Sequence, residues 1–66
     1  MRKRLKRERQ LAGLTQAELA EMIGISQQTI SKYELGKITP GHFKIIRQYE
    51  KALGVSAENL FPDIFL

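Results

Sequence analysis

The sequence predicts an all-α protein, a compact five-helix bundle forming one domain over residues 1–66. Three observations carry that prediction. The tripeptides Gly13-Leu14-Thr15, Gly24-Ile25-Ser26 and Gly54-Val55-Ser56 each close one helix and open the next. Glycine reaches the left-handed conformation found just past a helix end, and Ser or Thr accepts a hydrogen bond from a free N–H of the following turn. Between these signals apolar residues recur at spacings of three and four, as in Phe43, Ile46, Tyr49 and Leu53, which is the period of a helix face. Finally, a chain of 66 residues with no Cys has neither a disulfide nor a thiolate metal site to stabilise it. Hydrophobic burial alone must hold such a fold, at a size where folding hides only roughly 60% of the extended surface.

The first helix is expected over 1–12, with Leu5 and Ala12 on its apolar side. The second, over 16–23, is opened by Thr15, with Glu18 at capping-box spacing. The third, over 27–35, follows Ser26. The fourth, over 41–53, follows Gly36-Lys37-Ile38-Thr39, the same signal with one residue inserted, and Pro40 suits a first helical position. The fifth, over 57–61, is opened by Ser56 and stopped by Pro62. Ahead of each cap stands an apolar residue at the spacing of a hydrophobic staple: Leu14 with Leu19, Ile25 with Ile30, Ile38 with Phe43, Val55 with Leu60. Neither a strand, a linker nor a low-complexity stretch is called for.

The net charge of +4 is unevenly spread. Six basic residues stand against Glu8 in the first ten, whereas the rest of the chain holds five bases and six acids. An excess of this kind favours an anionic partner. The run Arg2 to Arg7 suits a phosphate-gripping arm, or else the solvated face of the first helix. No apolar run approaches the ~20 residues of a membrane span, and the basic start lacks a signal peptide's apolar stretch. The expectation is a cytoplasmic protein with no membrane partner. One His, no Cys and no phosphate-binding glycine loop argue against an enzyme, a metal site or a cofactor. His42 is expected at the surface or beside a phosphate. A chain this short also leaves no room for a sensor domain, so no small-molecule ligand is expected.

Residues 15–35 make two short helices joined by a turn containing Gly24, the spacing of a helix-turn-helix or of an ordinary helical hairpin. Ala20 is small enough for the backbones to approach, and Leu19, Ile23, Ile25 and Ile30 supply the shared apolar contact. On helix 27–35, Ile30, Tyr33 and Glu34 share one side, while Gln27, Gln28, Ser31, Lys32 and Leu35 spread over the other. That outer side has no acid. A helix that reads a DNA groove needs amide and cationic side chains that reach base edges, and phosphate would repel carboxylates. A solvated helix face is the other reading.

The segment TQAELAEMIGISQQTISKYELGK resembles the helix-turn-helix of the phage repressor and Cro family. Gln16, Ala20, Gly24, Ile30 and the Tyr33-Glu34 pair stand at the family's spacing, and the ending RQYEKALGVSAENLF is of a kind common in its small regulators. The resemblance implies a lambda-repressor-like five-helix domain that binds double-stranded DNA as a homodimer on a two-fold operator. It implies that Gln16 bonds a phosphate and braces its neighbour on the reading helix, and that Gln27 and Gln28 enter the major groove. Gln suits the adenine N6/N7 edge, and Lys32, one turn on, suits guanine O6/N7. Some members place a third glutamine at that point, so operator identity does not carry over. Thr15, Lys37, Thr39 and Lys44 occupy positions suited to the sugar-phosphate strand. The resemblance also implies an ion pair between Arg9 and Glu34, which is expected to be partly buried because an unpaired inward carboxylate is costly.

The ending Phe61-Pro62-Asp63-Ile64-Phe65-Leu66 holds more apolar surface than so short a chain readily covers. Ile64, Phe65 and Leu66 are expected at a two-fold dimer interface, or packed back on the first helix. Two functions remain open: a sequence-specific regulator, most simply a repressor, and an antitoxin-like module of the same fold whose main partner is another protein. A membrane-surface role for the first helix is disfavoured by its small apolar area.

Overall fold

A computed structural model describes residues 1–65 and contains, among them, six helices and no strand. They are α1 (Lys3–Leu11), α2 (Gln16–Ile23), α3 (Gln27–Leu35), α4 (Phe43–Leu53), α5 (Ala57–Leu60) and α6 (Pro62–Phe65). The limits of α2 and α3 coincide with those expected. Gly24 and Gly36 end them at φ +86° and +76°, where a Cβ would be strained. Thr15 and Glu18 form a reciprocal capping box, and the Ser26 side chain accepts from the Thr29 N–H.

Elsewhere the element limits differ from expectation. Pro62 does not end the helical part of the chain; it opens a sixth helix, because a ring that forbids continuation of α5 also presets φ for a new first turn. The Ile64 N–H then returns to the Phe61 carbonyl at 3.0 Å. The fourth helix begins at Phe43 rather than 41, after His42 in extended conformation. Thr39 does not cap it. Its hydroxyl instead accepts from the Arg2 guanidinium at 3.0 Å, and Pro40 is buried outside any helix. Ser56 makes no cap bond either; the Ala57 N–H is taken by the Glu50 carboxylate at 2.7 Å.

Leu5, Leu19, Ala20, Ile30, Tyr33, Ile46, Tyr49, Ala57, Leu60 and Phe61 form one buried cluster that all of α1–α5 enter. Full burial of a side chain such as Leu5, Leu19, Ile30 or Leu60 contributes about 1.5–3 kcal/mol. Three of the four expected staple pairs lie in or against this core, but Ile38 and Phe43 stay exposed. The apolar side of α1 is Leu5 without Ala12, which lies exposed past the last turn. Aromatic rings extend the cluster, with Tyr49 edge-on to Phe61 at 5.3 Å and to Tyr33 at 6.2 Å. The apolar ending divides. Phe61 is wholly in the core, Phe65 is half-buried against it with its ring 6.2 Å from that of Phe43, and Ile64 is exposed. Leu66 lies outside the described residues.

Candidate nucleic-acid interface

The pair α2–α3 is built as the spacing of its residues suggests. Ala20 is buried at the crossing, the Gly24 and Ile25 N–H groups both close on the Ala20 carbonyl, and Ile23 and Ile25 pack against the core behind them. That packing fixes which side of α3 turns inward: Ile30, Tyr33 and Glu34 are buried. Gln27, Gln28, Lys32 and Leu35 are exposed, and Ser31 is half-buried. At 1.5 Å per residue a helix of nine residues is roughly 13 Å long, enough to lie along the B-DNA major groove for a few base pairs.

Glu34 is the acidic residue of α3, and its carboxylate is removed from the outer face altogether. Arg9 Nε donates to Oε2 at 2.6 Å and Nη2 to Oε1 at 3.2 Å, while Gln16 Nε2 adds a third bond to Oε1 at 3.1 Å. The remaining Arg9 contact, Nη1 to the Leu14 carbonyl at 2.8 Å, ties the same guanidinium to the α1–α2 turn. Both charges are thus desolvated, yet each guanidinium nitrogen and each carboxylate oxygen has a partner, the condition under which a buried pair is tolerated. Gln16 braces α3 from α2 and, with Gln27, Gln28 and Ser31, lines one shallow depression.

Beyond α3, Lys37, Thr39 and Lys44 are exposed around the connection to α4, and Thr15 is exposed at the start of α2. His42 is exposed at the N-cap of α4 and makes no side-chain cap bond. Among the described residues, no three His, Asp or Glu side chains come together as a metal site requires, and no helix is long and apolar enough to cross a membrane.

Arg2 overturns both readings of the basic run at its own position. It is neither an arm nor part of a solvated face: it is buried, bonded to the α3 exit and to Asp63. Lys3, Arg4 and Arg7 are exposed as expected of a solvated helix side. A signal for Arg2 was present in the spacing of Arg2, Leu5 and Arg9, three and four apart and hence on one face. Nothing near Asp63 in sequence marks it as the partner.

A family model described as helix-turn-helix matches residues 5–60 of the chain. The chain is 41% identical to an HTH-type transcriptional regulator of Methanocaldococcus jannaschii over 61 residues, 92% of this chain and 91% of the relative. It is 36% identical, over its whole length and 90% of the relative's, to an HTH-type transcriptional regulator of Methanothermobacter thermautotrophicus. A third relative, the SPbeta prophage-derived HTH-type transcriptional regulator YonR of Bacillus subtilis, is 39% identical over 86% of this chain and 52% of its own length. No solved structure matches the chain significantly.

Proposed function

The chain belongs to the helix-turn-helix family of DNA-binding transcriptional regulators, and from that premise we propose that it represses transcription in the cytoplasm as a homodimer on a palindromic operator. The observation that carries this reading is the outer face of α3, where amide, hydroxyl and ammonium groups stand exposed while the carboxylate of Glu34 is turned inward and bonded. Gln27, Gln28, Ser31 and Lys32 read base edges: a glutamine amide donates and accepts at adenine N6/N7, and Lys32 donates to guanine O6/N7. Thr15, Gln16, Lys37, Thr39 and Lys44 hold the sugar-phosphate strands on either side, setting register and affinity without reading sequence. The work is binding, not catalysis. Occupying the duplex excludes other proteins from it, so repression needs nothing beyond binding.

One reading helix covers too few base pairs for tight selective binding. Two copies about a two-fold axis place their reading helices about 34 Å apart, one turn of the duplex. Ile64, exposed on α6 beside the half-buried Phe65, starts that interface, with Leu66 following it in the chain. Selection of sites from a random DNA pool, with sedimentation of the free protein alongside, tests the proposal. The expected result is an inverted repeat with half-sites about 10 base pairs apart bound by a dimer that Ile64→Lys dissociates. Recovery of no preferred sequence, or of a single half-site bound by a monomer, would overturn it.

A further inference from the structure

A guanidinium has five N–H groups, and Arg2 uses every one. Nε donates to Asp63 Oδ1 at 3.1 Å and Nη2 to Asp63 Oδ2 at 2.8 Å. Nη1 donates to the carbonyls of Tyr33 at 2.7 Å and Ile38 at 2.8 Å, and the second Nη2 proton goes to Thr39 Oγ1 at 3.0 Å. The same group lies over the Phe61 ring, 5.3 Å from its centre. The Arg2 backbone N–H donates to the Glu34 carbonyl at 2.8 Å. One residue therefore finishes the C-terminal turn of α3, grips the 37–42 connection and binds α6.

Apart from the buried Pro40 ring, that connection has few other anchors. Between the Lys37 N–H, bonded to the Lys32 carbonyl, and the Ile45 N–H, bonded to the His42 carbonyl, no backbone-to-backbone bond originates among the described residues. Arg2 supplies the missing order through Ile38 and Thr39. The bond to Thr39 also sets the direction of its hydroxyl. Accepting from Arg2 occupies a lone pair, and the O–H proton is left to donate elsewhere. Asp63 in turn orients the guanidinium by a two-point fork, and those bonds hold its carboxyl below the usual carboxylate range.

From this geometry we infer that Arg2, oriented by Asp63, is a positioning residue for DNA binding: it presets the 37–42 connection so that Lys37 and the Thr39 hydroxyl meet the phosphates together, and it makes their grip depend on α6. The inference rests on the phosphate-binding role proposed for Lys37 and Thr39. Arg2 itself touches no DNA. A lysine cannot substitute, since three donors on one atom cannot span acceptors in three segments.

The test uses the full chain carrying Asp63→Ala or Arg2→Lys, each with and without Lys37→Ala. Affinity for a selected duplex and for a random one is followed by fluorescence anisotropy over a salt series, with helical content and melting recorded in parallel. Asp63 is half-exposed, so Asp63→Ala should stay folded; Asp63→Asn, which keeps one acceptor, should fall between it and wild type. The expected result is binding about tenfold weaker on both duplexes alike, the loss of roughly one charge-assisted bond. Lys37→Ala should then cost a smaller factor in the Asp63→Ala background than in wild type, while Gln28→Ala costs the same factor in both. A purely structural role would not produce that selective coupling. Wild-type affinity in Asp63→Ala, or an equal Lys37→Ala effect in both backgrounds, would overturn the inference while leaving the DNA-binding role standing. A wild-type chain that binds no duplex would remove both.

Discussion

Arg9 and Glu34 meet as a two-point pair with their side chains only 8% and 3% exposed, joining α1 to the helix proposed to read DNA. Removing one partner leaves the other charge buried without its counter-ion, Glu34 keeping only the Gln16 amide and Arg9 only the Leu14 carbonyl, which costs about 3–5 kcal/mol. For a domain this small that is comparable to its whole stability. Arg9→Met or Glu34→Leu alone should therefore leave little folded protein in a urea titration, and the double variant should recover most of the loss. If the double variant is no better than the singles, the pair is not the coupled unit described.

The outer face of α3 and the exit of that helix should respond differently to substitution. Gln28→Ala is expected to cost about 1–3 kcal/mol of binding and to relax preference at one base position. Lys37→Ala should weaken binding to every sequence alike and lower the log-log salt slope by about one. Site selection repeated with each variant separates the two. Uniform loss in both would mean that Gln28 does not read a base.

Helix starts offer a sharper comparison, because similar residues do different work. Thr15→Ala and Ser26→Ala each remove a real cap bond and should cost about 1 kcal/mol. Ser56→Ala removes none to the α5 backbone and should be close to neutral in a thermal melt. Glu50→Ala strands the Ala57 N–H and should cost about 1–3 kcal/mol. Equal effects at Ser26 and Ser56 would contradict the capping geometry.

Tyr49 is fully buried, and its hydroxyl has no hydrogen-bond partner among the described residues. Tyr49→Phe should thus leave the melting temperature unchanged or slightly raised at neutral pH, since a buried unbonded hydroxyl is a desolvation loss. Burial, and secondarily the negative charge of Glu34, pushes its ionisation well above that of a free tyrosine. A folded pKa above the unfolded one means that stability is complete below the ordinary tyrosine value of about 10 and is lost as pH rises beyond it. Wild type should accordingly unfold at lower alkaline pH than Tyr49→Phe, with tyrosinate absorbance appearing together with loss of helix. Ionisation of both tyrosines well before unfolding would show that the ring is not sealed.

The helix-turn-helix is legible in the sequence because all that sets it is near in sequence. Thr15 with Glu18, Ser26 with Thr29, and the left-handed Gly24 and Gly36 act within four residues of one another. The alternation of apolar and polar positions on 27–35 is likewise a matter of helical period, so which side chains point out follows once the helix exists. Pro62 was different, since one ring both ends a helix and begins the next, and only packing of the ending on the core selected the second. Arg2 shows the contrast most fully. Its side-chain partners lie 31, 36, 37 and 61 residues away, and a cation in a basic run carries no local mark of which carbonyls will later surround it. Short-range hydrogen bonding and helical period chose the helices of residues 15–36; the closing of the bundle, by burying Phe61 under Arg2 and bringing Asp63 to its edge, chose which charge became structure.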